Sequence, residues 1–193
     1  MKSKKELKGI SKLLAVILRH KPEIVDVSMD IRGWVSVNEL INMVNKKYED
    51  MNLTFEDLES VVNDADQDNQ RYSFNDDNTK IRARQGHSLD WVIIELEDVT
   101  KSCPGILYHG TSEDALDDIF HPNKGGIKKM SRNHVHLSDN VEGAKKVGAR
   151  HGKPVVLEVL MRDLAKDGYR VFKSENDRFL MEEVPLGYFR KLQ

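Results

Sequence analysis

Arg19 and His20 stand side by side in the run Leu18-Arg19-His20-Lys21-Pro22, and the pair offers two complementary capacities. A guanidinium presents a planar fork of donors that matches a phosphate. An imidazole moves a proton near neutral pH. A plainer account competes, because cations also favour a helix C-terminus, where the last carbonyls are unpaired. A second polar run, Ile81-Arg82-Ala83-Arg84-Gln85-Gly86-His87-Ser88, has the alternation of a strand. That alternation puts Arg82 and Arg84 on one face and Ile81 and Ala83 on the other. The competing account is a solvated edge strand leading into a turn, with a structural His87.

Three further runs carry chemistry-bearing side chains. In Leu107-Tyr108-His109-Gly110-Thr111-Ser112 an apolar strand ends in His, Gly and two hydroxyls. Glycine lets a ligand approach the backbone closely, and the turn's backbone and hydroxyls suit an amide or a ribose. In Arg132-Asn133-His134-Val135-His136-Leu137-Ser138 the two histidines and Arg132 share one strand face. The H-x-H spacing invites a metal, but a zinc site takes three or four ligands. Only His109 offers itself as a third, so no metal is expected. Val147-Gly148-Ala149-Arg150-His151-Gly152-Lys153-Pro154 falls at a helix end and reads as structural.

The elements that must position these residues follow from periodicity. Leu7, Ile10, Leu13, Leu14, Ile17 and Leu18 recur at steps of three and four, one face of an amphipathic helix. Pro22 restricts Lys21 to extended geometry, so the helix ends near His20. Ser36 followed three residues later by Glu39 is a capping box; it opens a helix burying Leu40, Ile41 and Val44. A third helix starts at Thr54-Phe55-Glu56-Asp57 and turns Leu58, Val61, Val62 and Ala65 inward. Strands at Arg71–Phe74 and Lys80–Arg84 form a hairpin across the polar run 75–79. Three helices and a hairpin look like a winged helix. Beyond it a strand is expected at Trp91–Ile94, and a domain boundary at Asp98–Gly105, giving lobes of residues 1–98 and 99–193. The second lobe reads as strands at Ile106–His109, Val135–Leu137, Val155–Leu160, Phe172, Phe179–Met181 and Leu186–Phe189. Between them fall a helix capped by Ser112 and running through Phe120, and one capped by Ser138 and running to His151-Gly152. The fold class is α+β.

Bulk properties narrow the classes. The 193 residues are 39% hydrophobic and 32% charged, with a net charge of -2. There is enough apolar content for packed cores, but no global basic field to draw nucleic acid. Local clusters remain available: Lys2, Lys4, Lys5, Lys8 and Lys12, and then Lys80, Arg82 and Arg84. The apolar stretch Leu13–Leu18 is far too short to span a bilayer, and the basic N-terminus lacks a signal peptide's h-region and cleavage site. One cysteine, Cys103, excludes an intramolecular disulfide. A cytoplasmic protein, with no membrane association, is the expectation.

Taken in order, S-K-L-L-A-V-I-L-R-H-K-P, G-W-V-S-V-N-E-L, I-R-A-R-Q-G-H-S, L-Y-H-G-T, R-N-H-V-H-L-S, V-G-A-R-H-G-K-P-V-V-L and S-E-N-D-R-F-L-M-E-E-V-P resemble the Tpt1/KptA family of RNA 2'-phosphotransferases. The likeness runs from Ser11 to about Tyr188. It implies a winged-helix RNA-binding lobe followed by an ADP-ribosyltransferase-like lobe that holds NAD. It implies a two-step reaction as well. The RNA 2'-phosphate displaces nicotinamide from the ribose C1'', and the ribose 2''-hydroxyl then attacks the phosphorus. The products are 2'-OH RNA, nicotinamide and ADP-ribose 1'',2''-cyclic phosphate, and the chemistry requires no metal. The family's catalytic Arg-His-Arg-Arg quartet matches Arg19, His20, Arg82 and Arg132, with His20 moving protons in the second step. The implied NAD-binding residues are His109, Gly110, Thr111, Ser112, His136, Ser138 and Val184. Val184 stands where many ADP-ribosyltransferases carry a glutamate. The implied partners are RNA with an internal 2'-phosphate, of the tRNA splice-junction type, and NAD, acting on a monomer.

The sequence departs from the family pattern at Asp177-Arg178-Phe179, where a G-V-W-like stretch is expected, and at Cys103-Pro104-Gly105, in place of a double proline. Neither touches the quartet. Two other readings stay open. One is an ADP-ribosyltransferase that caps terminal phosphates of RNA or DNA. The other is a winged-helix regulator with a ligand-sensing domain, against which stand Glu56, Asp57, Glu59 and Asp64 in the third helix, since phosphate contact dominates affinity for nucleic acid.

Overall fold

The computed structural model describes residues 2–63 and 70–192. The chain divides into two compact units, Met1–Glu95 and Leu96–Gln193, and the architecture is α+β.

The first unit opens with α1 (Lys4–Arg19), whose N-cap Ser3 and Glu6 form a capping box, a stabilisation of roughly 1 kcal/mol. Its periodic face buries Ile10, Leu14, Ile17 and Leu18. His20 is the C-cap, and a single-turn 3-10 helix, Pro22–Val25, follows at once. β1 (Val35–Ser36) leads into α2 (Val37–Lys47), and α3 (Phe55–Asn63) comes next; Ala65 lies outside the described residues. β2 (Tyr72–Phe74) and β3 (Lys80–Ala83) complete a three-stranded antiparallel sheet ordered β1-β3-β2. One apolar core runs through α1, α2, α3 and this sheet, with Leu14, Leu40, Leu58, Tyr72 and Ile81 among its fully buried members.

Two expectations for this unit are corrected. Ser36 Oγ accepts from the Glu39 amide, but the Glu39 carboxylate turns away to the Ser28 amide, at 2.8 Å; the cap holds and the box does not. Trp91–Ile94 is not a strand. Trp91 lies in a turn and Val92 is buried, but no described strand pairs with the run; its backbone is held by the Val92 amide on the Leu89 carbonyl and the Ile93 amide on the Ile31 carbonyl.

The second unit begins with β4 (Glu97–Asp98) and β5 (Ile106–Ser112), then a 3-10 turn into α4 (Leu116–Ile119). β6 (Ile127–Lys128), β7 (Val135–Leu137), α5 (Val141–Gly148), β8 (Pro154–Leu160) and α6 (Met161–Lys166) follow. β9 (Phe172–Lys173), β10 (Phe179–Met181), β11 (Glu183–Val184) and β12 (Phe189–Lys191) end the unit. The sheets are ordered β4-β9-β10-β7, β11-β6 and β12-β8-β5. A bridge between Tyr108 and Ser138 ties β5 to the end of β7. A core including Leu107, Leu157, Val159, Met161, Leu164 and Val184 lies within these layers.

Several caps and ends differ from expectation. β5 does not stop at His109; it pairs with β8 as far as Ser112 on Pro154. Ser112 precedes the 3-10 turn but its side chain caps nothing. The N-cap of α5 is Asn140, whose side chain takes the Gly143 amide at 2.7 Å, while Ser138 takes the Asn140 amide. That helix ends at Gly148, short of His151. Leu186 and Gly187 form a turn, and the last strand starts only at Phe189.

Candidate active site

Three of the charged residues singled out from the sequence converge in the first unit. Arg19 and His20 end α1 because Pro22 stops the helix there. Its last carbonyls still need donors, and Ser88 supplies one: its amide donates to the Arg19 carbonyl at 2.9 Å. The Ser88 side chain then meets His20, with Oγ 2.9 Å from Nδ1. Gly86, at φ +87°, brings its backbone so close to Arg19 that an added Cβ would stand 3.5 Å from the guanidinium. The Q-G-H-S segment is thus folded against the end of α1.

Arg82 reaches the same region from β3. This strand is central, flanked by β1 and β2, which overturns the solvated-edge reading. Ile81 and Ala83 are wholly buried on one face, and Arg82 is only 9% exposed on the other. Its guanidinium carbon lies 4.3 Å from the centroid of the Trp34 ring, a cation-π contact that braces the fork. Arg84 does something else. The strand ends at Ala83, and Arg84 Nε donates to the Tyr72 carbonyl at 3.2 Å, so this arginine staples the hairpin.

His87 is 2% exposed, and neither ring nitrogen has a hydrogen-bond partner among the described residues. Burial first, then the charges of Arg19, His20 and Arg82, push its pKa down to about 4. It is a neutral ring held close to the guanidiniums of Arg19 and Arg82. The same fact shows that Arg19, His20 and Arg82 lie close enough to act on one buried group, which is the electrostatic character an anion site needs.

A second group forms in the other unit. His109 Nδ1 lies 3.2 Å from the His136 carbonyl. A carbonyl only accepts, so Nδ1 carries the proton and Nε2 is the acceptor of the neutral ring. Burial lowers the His109 pKa, the His136 carbonyl opposes that shift, and Arg132 adds to it. Arg132 Nη1 lies 3.3 Å from His136 Nδ1; a guanidinium only donates, so this nitrogen accepts. Burial and then the charge of Arg150 lower the pKa of Arg132, so two guanidiniums share this corner. His134 precedes the strand rather than continuing its face. Burial, then Lys129, lowers its pKa.

The remaining sequence candidates are packed into the fold. Gly110 has no room for a ligand on the side its missing side chain leaves open, because a Cβ there would stand 1.7 Å from the Ala144 carbonyl oxygen. The space belongs to α5, and Gly148 of that helix faces Thr111 in the same way. Thr111 and Ser112 are buried, and Val184 is fully buried in the core. Ser138 is buried at the bridge to Tyr108. Among the described residues no three His, Cys, Asp or Glu side chains gather as metal ligands. Trp34, Gly86 and Ser88 were not singled out as site residues from the sequence. The strongest signal for them was their position in G-W-V and Q-G-H-S, next to residues that were.

A model of the RNA 2'-phosphotransferase, Tpt1/KptA family matches residues 4–183. A Fusobacterium nucleatum subsp. nucleatum protein named "Probable RNA 2'-phosphotransferase" is 43% identical over 182 residues, covering 94% of this chain and 96% of its own. A Nostoc punctiforme protein of the same name is 40% identical over 190 residues, covering 98% and 99%. One from Escherichia coli O6:K15:H31 is 40% identical over 184 residues, covering 95% of each chain. The likeness extends through both units.

Proposed function

The chain belongs to the RNA 2'-phosphotransferase, Tpt1/KptA family, and from that premise we propose that it removes an internal 2'-phosphate from RNA by transfer to NAD. The observation that carries the reading is the convergence of Arg19, His20 and Arg82 around buried His87. Phosphoryl transfer leaves little covalent work to a protein; catalysis is positioning and charge stabilisation. Arg82, braced on Trp34, serves as a fork for the phosphate. Arg19 adds a second cation, His20 moves the proton, and Arg132 is the fourth residue of the quartet that the family's motif assigns.

NAD is consumed as co-substrate: it supplies the ribose that accepts the phosphate and loses nicotinamide. The second unit's donor set fits such a group, with the His109 ring acceptor, the His136 ring and the Arg132 guanidinium linked together. Ser138 stands beside them at the bridge to Tyr108. Gly110, Thr111, Ser112 and Val184 enter the proposal as backbone and apolar support behind these donors. The products are 2'-OH RNA, nicotinamide and ADP-ribose 1'',2''-cyclic phosphate.

In the first unit the order α1, β1, α2, α3, β2, β3, with a three-stranded sheet, suits a winged helix, taken here as the RNA-binding lobe. The small sheets of the second unit suit an ADP-ribosyltransferase-like NAD lobe. A DNA-reading regulator is disfavoured by α3, which carries Glu56, Asp57 and Glu59 and no basic residue.

The test is incubation of the purified protein with an RNA oligonucleotide bearing one internal 2'-phosphate, with and without NAD, and again in EDTA. NAD-dependent loss of the phosphate, undiminished by EDTA, is expected. Phosphate release without NAD would sink the mechanism. ADP-ribose retained on a terminal phosphate would favour the capping activity instead.

A further inference from the structure

We propose that Ser88 is the positioning residue for His20, its hydroxyl holding Nδ1 so that Nε2 is the nitrogen presented to substrate. The inference rests on the reading of His20 as the proton-transfer group.

Ser88 is engaged at both ends. Its amide donates to the Arg19 carbonyl at 2.9 Å, and its Oγ lies 2.9 Å from His20 Nδ1. The first contact fixes Ser88 on the end of α1, so the second fixes the ring relative to the same helix end. A hydroxyl is both donor and acceptor, which matters for a ring that must change protonation state. When the neutral ring carries its proton on Nε2, the hydroxyl donates to Nδ1. When the proton sits on Nδ1, the hydroxyl accepts it, and Nε2 is left as a base. In the imidazolium the hydroxyl again accepts from Nδ1. Rotation about one bond serves all three states without moving the ring. A carbonyl would serve only the forms protonated on Nδ1, and a carboxylate would add a charge that ties the proton to the ring.

The surroundings make that neutrality useful. The charged and titratable groups that act on this corner include Arg19 on the same helix, Arg82 on β3, His87 in the segment after it, and the buried Tyr72 phenol of β2, which faces Arg19. A carboxylate here would neutralise cations that the phosphate must meet, whereas a hydroxyl orients the imidazole and leaves the local charge as it is.

The experiment uses the full chain as wild type, Ser88→Ala and Ser88→Thr. Turnover of the 2'-phosphorylated RNA is measured at saturating NAD across the pH range in which histidine titrates. In parallel, nitrogen NMR of the histidine rings is recorded, with His20 assigned through His20→Asn. Ser88→Ala should lower kcat about tenfold or more, a part of the roughly 10²–10⁴-fold that a positioned acid–base group supplies. KM should move far less, the pH profile should change, and the His20 Nδ1 signal should shift as its hydrogen bond is lost. Ser88→Thr keeps the hydroxyl and should restore most of kcat. Unchanged His20 signals in Ser88→Ala overturn the proposal, whether kcat holds or falls. A threonine variant no better than alanine overturns it as well. If wild type itself shows no phosphotransfer, it is the functional reading that fails, and the NMR alone decides the Ser88–His20 contact.

Discussion

Arg82 and Arg84 sit two residues apart, yet the fold gives them different work. Arg82 is buried on a central strand with its fork stacked on Trp34, while Arg84 is bonded to the Tyr72 carbonyl. Arg82→Lys keeps the charge but loses the planar fork and the stacking. It should lower kcat on the order of a hundredfold, the scale of removing one charge-stabilising donor. Arg84→Ala should leave turnover nearly intact and cost about 1 kcal/mol of stability, the net worth of one hydrogen bond. Steady-state kinetics and urea melts of both variants check this; a dead Arg84→Ala beside a near-normal Arg82→Ala would require the site to be redrawn. His87 makes a separate prediction about pH. Its folded pKa is about 4, against an ordinary value of 6.5. The folded ring is therefore neutral where the unfolded one takes a proton. Its stabilising effect is complete above about pH 6.5 and is lost as pH falls toward 4, a swing of up to about 3 kcal/mol. The urea midpoint should fall over that window in wild type and more shallowly in His87→Gln. Equal slopes would assign the acid sensitivity to other groups.

At the scale of elements, the second unit depends on how closely α5 lies on β5. Gly110 and Gly148 allow it, each occupying a place where a Cβ would strike the partner's backbone. Gly110→Ala, with its Cβ 1.7 Å from the Ala144 carbonyl oxygen, should cost at least about 2 kcal/mol through overpacking and lower Tm. His109 precedes Gly110 on the same strand, so activity should fall with it. Gly9 is the control: it lies within α1, and an added Cβ meets nothing within 4 Å. Gly9→Ala should stabilise by about 0.5–1 kcal/mol, the helix propensity gain over glycine. Calorimetry of the two variants reads both signs; a harmless Gly110→Ala would show that α5 can lift from the strand at little cost.

For the whole molecule, the two units have separate cores; of the four proposed catalytic residues, Arg19, His20 and Arg82 belong to the first and Arg132 to the second. No helix among the described residues is long and apolar enough to cross a membrane. The net charge of -2 leaves RNA affinity to local clusters. Lys2 does not join one freely, since it is paired with Asp57 at 2.6 Å and pins the N-terminus to α3. Lys4, Lys5, Lys8 and Lys12 of α1 remain exposed. If Arg19, His20 and Arg132 act mainly in the second step of the proposed reaction, alanine at each should let ADP-ribosylated RNA accumulate. Gel analysis of single-turnover reactions detects that species. Its absence in all three variants, with plain loss of binding, would count against a division of labour.

Much of this was legible in the sequence by itself. The period of α1 and the position of Pro22 placed Arg19 and His20 at a helix end, because local sterics alone decide where a helix must stop. The hairpin, the apolar strand at Val155–Leu160 and the family motifs were equally local or contiguous. What only the tertiary structure decided depends on neighbours distant in sequence. Alternation put Arg82 and Arg84 on one face, but burial of β3 between β1 and β2 separated their roles. Gly110 read as an opening for a ligand until α5 filled it. Trp91–Ile94 had the composition of a strand and found no partner to make it one. Ser88 read as one polar residue among several. Its contact with His20 spans 68 positions of chain, and no spacing rule reaches that far, because it exists only once the end of α1 and the exit of β3 have been packed together.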